Sequence, residues 1–181
     1  MRNLFFLFLL FSGSVTFAQK LVNVTVNKNI QMKVPDTFIN MNDQDRMTKV
    51  ASSKIPFAMF TTQDQEVTLG VNDNPMQWTA PDTKTVYGFY KASIRSLFDK
   101  VEFIQDDIRK INGREFIVFE FVSTVVNDNE FSSKKPQSNY SYIQYTSYND
   151  QVLLFNFGCR ARYKNQWEGI AKELMESVKI K

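Results

Sequence analysis

In FIQDDIRKINGREFIVFEFV, residues Phe103–Val122, two β-type runs meet at Asn112-Gly113. An Asn-Gly pair tolerates positive φ at both central positions of a tight turn, so it predicts a hairpin. The run after it carries Phe116, Val118 and Val122 at one parity and Ile117, Phe119 and Phe121 at the other. A strand half-exposed to water shows apolar residues on one side only. One that is apolar on both belongs in the middle of a sheet with material packed on each face.

Working outward, Val86, Tyr90, Ile94, Leu97 and Phe98 recur at helical spacing after Asp82 or Thr83 and predict a helix with a buried stripe. Gly88 inside it costs helix propensity and leaves room for close packing. Phe57–Thr61 and Glu66–Asn72 read as a strand pair, with Val67, Leu69 and Val71 facing inward and Asn72-Asp73-Asn74-Pro75 as a turn. Earlier, Lys28–Val34 alternates with Ile30, Met32 and Val34 on one side. A short helix at Asp43–Val50, capped by Asn42 or Asp43, is stopped by Ser52-Ser53 and Pro56. Downstream, Asn127–Asn139 is polar, contains Pro136 and reads as an exposed loop. Tyr140–Ser147 and Gln151–Ala161 form a second hairpin around Tyr148-Asn149-Asp150. The chain closes on a helix, capped by Asn165, with Trp167, Ile170, Ala171, Leu174, Met175 and Val178 on one face. The expected class is α+β: a mostly antiparallel sheet covered by two long helices.

Met1-Arg2-Asn3, the apolar run Leu4–Phe11 and the small residues ending at Ala18 have the form of a secretory leader, with the cut before Gln19. The apolar run is short for a permanent span, so no permanent transmembrane segment is expected. Residues 19–181 then form a single domain in a periplasmic or secreted protein. The 22 basic and 19 acidic side chains give a formal charge of +3 over 181 residues. That balance and the export signal argue against a nucleic-acid partner.

The sequence contains no histidine and one cysteine, Cys159. Ser-His-Asp triads, Cys-His pairs and intrachain disulfides are therefore excluded. Neither Asn72-Asp73-Asn74 nor Asn127-Asp128-Asn129-Glu130 reproduces a calcium-loop spacing, and no metal or cofactor is expected. Asp106 and Asp107 are adjacent, so on a strand they point to opposite faces and make a poor acid–base pair. Cys159 precedes Arg160 and Arg162, which would activate a thiol only on close approach. Arg160, Arg162 and Lys164 share a parity and define a basic stripe for acidic groups. Tyr140, Tyr142, Tyr145 and Tyr148 cluster on one hairpin, with Phe131 in the preceding loop and Trp78 near the first long helix. Tyr140 and Tyr142 share a parity that Tyr145 does not, so core and surface roles are both open to them. Exposed rings would offer rigid contact area to a protein, peptide or sugar.

The segment ending in Val34-Pro35-Asp36 with Phe38, the helix across 85–100, Ile111-Asn112-Gly113-Arg114-Glu115-Phe116 and the closing Trp167–Val178 resemble the PsbP-like α/β/α sandwich superfamily over 29–181. That group includes a photosystem-associated subunit, a Ran-binding import factor and many exported bacterial proteins. Phe57–Asn74, Phe89–Asp99 and Ile108–Glu120 resemble small exported proteins of Bacteroidota-type bacteria. The resemblance implies the sandwich fold and noncatalytic binding or assembly, and carries no ligand residue. The expected function is an exported noncatalytic binding or assembly-support protein, its partner an envelope or extracellular protein or a small ligand. It would act through an aromatic-lined sheet surface and loops, with Trp78, Phe131, Tyr140, Tyr142, Tyr145, Tyr148, Arg160 and Arg162 as contacts. The alternatives are a small-ligand carrier of the cell envelope and, less favoured, a carboxylate-dependent glycan-processing enzyme.

Overall fold

The computed structural model describes residues 19–49, 55–78, 82–126 and 136–181. The leader with its cut after Ala18, residues 127–135 including Phe131, and Ser52-Ser53 lie outside the described residues. The first part of the described chain contains β1 (Leu21–Asn27), β2 (Ile30–Pro35), β3 (Ile39–Asn40), α1 (Asp43–Lys49), β4 (Ala58–Thr61) and β5 (Val67–Gln77). The second contains α2 (Thr83–Leu97), β6 (Lys100–Ile111), β7 (Arg114–Val125), β8 (Gln137–Tyr148), β9 (Gln151–Arg160), α3 (Lys164–Glu176) and β10 (Lys179–Ile180).

β7 stands between β6 and β8 in a seven-stranded sheet of order β3-β4-β5-β9-β8-β7-β6, antiparallel at every pairing. Both hairpin turns have positive φ at their two central residues, 47° and 87° at Asn112-Gly113 and 51° and 57° at Asn149-Asp150. On one sheet face, Ile117, Phe119, Phe121 and Tyr145 pack with Val86, Tyr90 and Ile94 of α2. On the other, Phe116, Val118, Phe155 and Phe157 pack with Trp167, Ala171, Leu174 and Met175 of α3. Ile30, Met32 and Val34 join that second core from β2, the middle strand of a small β1-β2-β10 sheet. The result is an α/β/α sandwich with an extra three-stranded flap. Among the described residues, no helix is long and apolar enough to cross a membrane.

Several local readings change. Asn72-Asp73-Asn74 is not a turn: it pairs with Leu154, Leu153 and Val152, and a register shift between Asn74 and Gln77 brackets Pro75. The ladder to β9 outweighs local turn propensity, and the bulge accommodates a residue without an N–H. Leu97 is 70% exposed rather than part of the buried stripe, because α2 ends there and Phe98 turns into extended backbone. Gly88 has open space around its Cβ position, so it serves no close approach. Asn42 does cap α1, accepting from the Asp45 N–H at 2.9 Å. Asn165 lies inside α3 instead of capping it, since a short 3-10 turn, Ala161–Tyr163, leads straight into Lys164.

Beneath α3, Glu120 is fully buried among apolar neighbours. Tyr140 donates its hydroxyl to Glu120 Oε1 at 3.0 Å, and Lys172 Nζ stands 3.5 Å from Oε2. Glu168 joins the cluster, accepting from Lys164 at 2.5 Å and from Lys172 at 2.9 Å. Those hydrogen bonds hold the Glu168 carboxyl down to about 2, below its ordinary 4.5. A carboxylate with a depressed folded pKa adds stability above its unfolded value and loses it as pH falls through the folded one. Glu168→Gln is therefore expected to be less stable than the native chain at neutral pH, the gap closing between 4.5 and about 2. Urea midpoints measured across that range check this; a gap that does not change with pH would contradict it.

Candidate functional site

Spacing alone limits what a single helix can cover. Seven strands about 4.8 Å apart span about 30 Å, whereas a helix with side chains is about 10 Å across. α2 packs on β6 and β7 and reaches β8 where Tyr90 stacks on Tyr145, ring centroids 3.9 Å apart. The same face of β5, β9 and the start of β8 carries Thr68, Gly70, Asn156, Gly158 and Ser141. Asn156 is exposed, and Thr68, Gly158 and Ser141 are half-buried. Their ladder is continuous, Thr68 opposite Gly158 and Gly158 opposite Ser141. Small polar side chains thus form a flat floor beside α2, while their alternates Val67, Leu69, Phe157 and Tyr140 fill the opposite core.

Two grooves lie along this floor and share Glu66 and Arg160. One, of about 370 Å³, runs over Thr68, Ser141, Asn156 and Gly158 to Lys49. The other, of about 560 Å³, runs past Gln137, Ser138 and Arg162. A turn sets Glu66 in place: Gln65 takes φ 57°, and Asp64 accepts from the Thr62 hydroxyl at 2.6 Å and the Glu66 N–H at 3.1 Å. Those two bonds hold the Asp64 carboxyl below the usual range. Lys49 Nζ donates to Gln65 Oε1 at 3.0 Å.

Arg160 ends β9 opposite Asn139 and donates to Gln137 Oε1 at 2.9 Å and Asn139 Oδ1 at 3.4 Å. Its Nε is 3.7 Å from Glu66 Oε2, and an Arg162 terminal nitrogen is 3.7 Å from the same oxygen. The Arg162 guanidinium also lies over the Tyr163 ring, 4.7 Å from its centroid. The two arginines of the expected stripe do converge. Lys164 does not join them, because the strand ends at Arg160 and the following turn points it at Glu168.

The aromatic residues fall elsewhere. Trp78, Tyr140, Tyr142 and Tyr145 are 2%, 0%, 0% and 6% exposed, so the expected aromatic surface is core instead. Each ring points to a face that a helix covers, α3 for Tyr140 and Tyr142 and α2 for Trp78 and Tyr145, which parity alone does not reveal. Burial pushes the Tyr142 phenol up to about 12, opposed by the Arg109 guanidinium, and raises Tyr145 further. Tyr148 is half-buried at the edge of the same core, its hydroxyl accepting from Asn29 Nδ2 at 2.7 Å. Burial also raises the Cys159 thiol to about 11, so it stays protonated at neutral pH.

The acidic residues of the first hairpin do not assemble. Asp106 pairs with Lys91 on the α2 side, whereas Glu120 lies under α3 on the opposite face. Among the described residues, no group of three or more acidic or cysteine side chains could hold a metal. Glu66, Asn139, Ser141 and Asn156 belong to the grooves but carry no motif. Their signal is the alternation of polar residues opposite Val67-Leu69-Val71 and Phe155-Phe157-Cys159, which marks a sheet face left uncovered.

No protein-family model and no curated protein matches the chain. Solved structures share its architecture. Cyanobacterial PsbP from Synechocystis aligns with a TM-score of 0.62 at 13% identity, over 93% of this chain and 96% of that one. The Saccharomyces cerevisiae Ran-binding protein Mog1p gives 0.57 at 11%, over 90% and 96%. LpqN of Mycobacterium tuberculosis, involved in cell envelope biogenesis, gives 0.55 at 11%, over 90% and 91%. At such identities the likeness is one of fold: this chain has the PsbP-like α/β/α sandwich fold.

Proposed function

We propose that the chain is an exported, noncatalytic binding or assembly-support protein that holds an envelope or extracellular partner on the uncovered part of its large sheet. The observation that carries this reading is the polar floor of β5, β9 and β8, running into the Arg160–Glu66–Arg162 cluster. Among the described residues no helix lies over this floor, and its short side chains leave Asn156 exposed to a partner. Support also comes from relatives in fold that include a Ran-binding protein and a protein involved in cell envelope biogenesis. The leader-like residues 1–18 supply the exported setting.

The test places a photoreactive side chain at Asn156 on the floor, or at Lys110 on the far edge strand, and exposes each protein to an envelope extract. A discrete adduct from position 156 and none from position 110 is the expected result. Adducts at both positions alike, or at neither, would contradict the reading.

A further inference from the structure

We infer that the groove around Glu66 takes an acidic polypeptide segment, whose carboxylate replaces Glu66 between Arg160 and Arg162. The inference rests on the binding reading above and names its ligand. Glu66 lies 3.7 Å from each arginine, too far for a hydrogen bond to either. An incoming carboxylate free to align with a guanidinium makes paired bonds at about 2.8 Å. Glu66 is itself a carboxylate on a partly exposed side chain, so it occupies the position without filling the donors. An exposed ion pair of this kind is easily exchanged for a better one.

Charge complementarity points to an acid, because Lys49, Arg160 and Arg162 face the grooves against Glu66 alone among the described lining residues. The rest of the lining points to a polypeptide. Gln65, Gln137, Asn139 and Asn156 present side-chain amides. Three of their oxygens already accept from Lys49 or Arg160, which leaves the four amide N–H groups and Asn156 Oδ1 to pair with a peptide main chain. None of the described lining residues is an exposed aromatic ring on which a sugar would stack.

The test uses the chain from Gln19 onward and a fluorescein-labelled Glu-Ser repeat peptide, read by fluorescence anisotropy at low salt. A Gln-Ser repeat serves as the neutral control and polygalacturonate as a competitor. Glu66→Gln is expected to tighten peptide binding about threefold by removing the internal competitor. The R160Q/R162Q double variant is expected to weaken it about tenfold or more. Glu173→Gln makes the same change of net charge on α3 at a side chain 61% exposed, and is expected to leave affinity unchanged. Equal binding of the two peptides would overturn the inference. So would an unchanged or weaker Glu66→Gln affinity, tightening by Glu173→Gln to the same degree, or polygalacturonate binding in preference to the peptide. Should the double variant fail to fold in a thermal melt, the sign of the Glu66→Gln effect decides alone. Crosslinks from position 156 that survive R160Q/R162Q would overturn the acidic ligand and leave docking on the floor intact. Absence of any crosslink there would overturn both.

Discussion

Replacing Phe119 by alanine is expected to lower the unfolding free energy by about 4 kcal/mol, measured by urea denaturation. Phe119 is fully buried on β7, at the centre of the core between sheet and α2. Its ring stacks on Tyr87 at 5.4 Å between centroids, and meets Phe103 at 6.0 Å and Tyr145 at 6.2 Å. Alanine removes all three contacts at once. Neighbours anchored on two other strands and a helix cannot close the space, so a cavity cost adds to the lost transfer energy. The denaturant slope should stay constant, showing that the fold is weakened rather than changed. Leu97→Ala on the exposed side of α2 serves as the comparison and should cost less than about 0.5 kcal/mol. A Phe119→Ala loss below about 1 kcal/mol would mean that this core is not the one described.

Lys172→Met is expected to destabilise the protein by about 2 kcal/mol, most of which Glu120→Gln restores in the same chain. Glu120 is fully buried, and its Oε2 makes no hydrogen bond. The Lys172 ammonium at 3.5 Å is the cation that offsets its charge. Losing one member of a buried ion pair leaves an uncompensated charge in a medium of low polarity, which is the costly case. Because the Lys172 side chain is 40% exposed, the loss falls below that of a wholly buried pair. Glutamine at position 120 removes the charge yet keeps an acceptor for Tyr140, which donates at 3.0 Å. Glu168 retains Lys164 in either background, so the second effect isolates the pair. A double-mutant cycle by urea denaturation measures this coupling. Additive losses would show that Lys172 does not neutralise Glu120.

The elements whose burial pattern repeats over several turns or rungs were legible in the sequence. β7 with its two apolar faces and the Val86-Tyr90-Ile94 and Trp167-Ala171-Leu174 stripes follow from periodicity, and both Asn-containing hairpins from their turn residues. Misreadings arose where a distant partner overrides local preference. The turn-like Asn72-Asp73-Asn74 is held extended by β9. β1 does alternate, half-buried Val22, Val24 and Val26 against exposed Asn23 and Thr25, and was legible although no strand was expected there. Its burial is only partial because it is an edge strand paired with β2 alone. The tyrosine parities were right, since Tyr140 and Tyr142 face one core and Tyr145 the other. Parity cannot say whether a face is covered, and these residues are buried because α3 and α2 lie over them. The same limit hid Glu66, which reaches Arg160 and Arg162 only through the pairing of Val67 with Cys159. Arg160 and Arg162 were visible by spacing, whereas the acid between them depends on the topology.

That topology makes the central claim a question of position: which part of the surface touches the partner. Photoreactive side chains placed at Thr68 and Asn156 sample the open floor, and others at Phe89 and Ile108 sample the α2 side and the far edge. The account predicts adducts of one size from the first two positions and none from the others. Adducts concentrated at Phe89 or Ile108, with positions 68 and 156 silent, would contradict it.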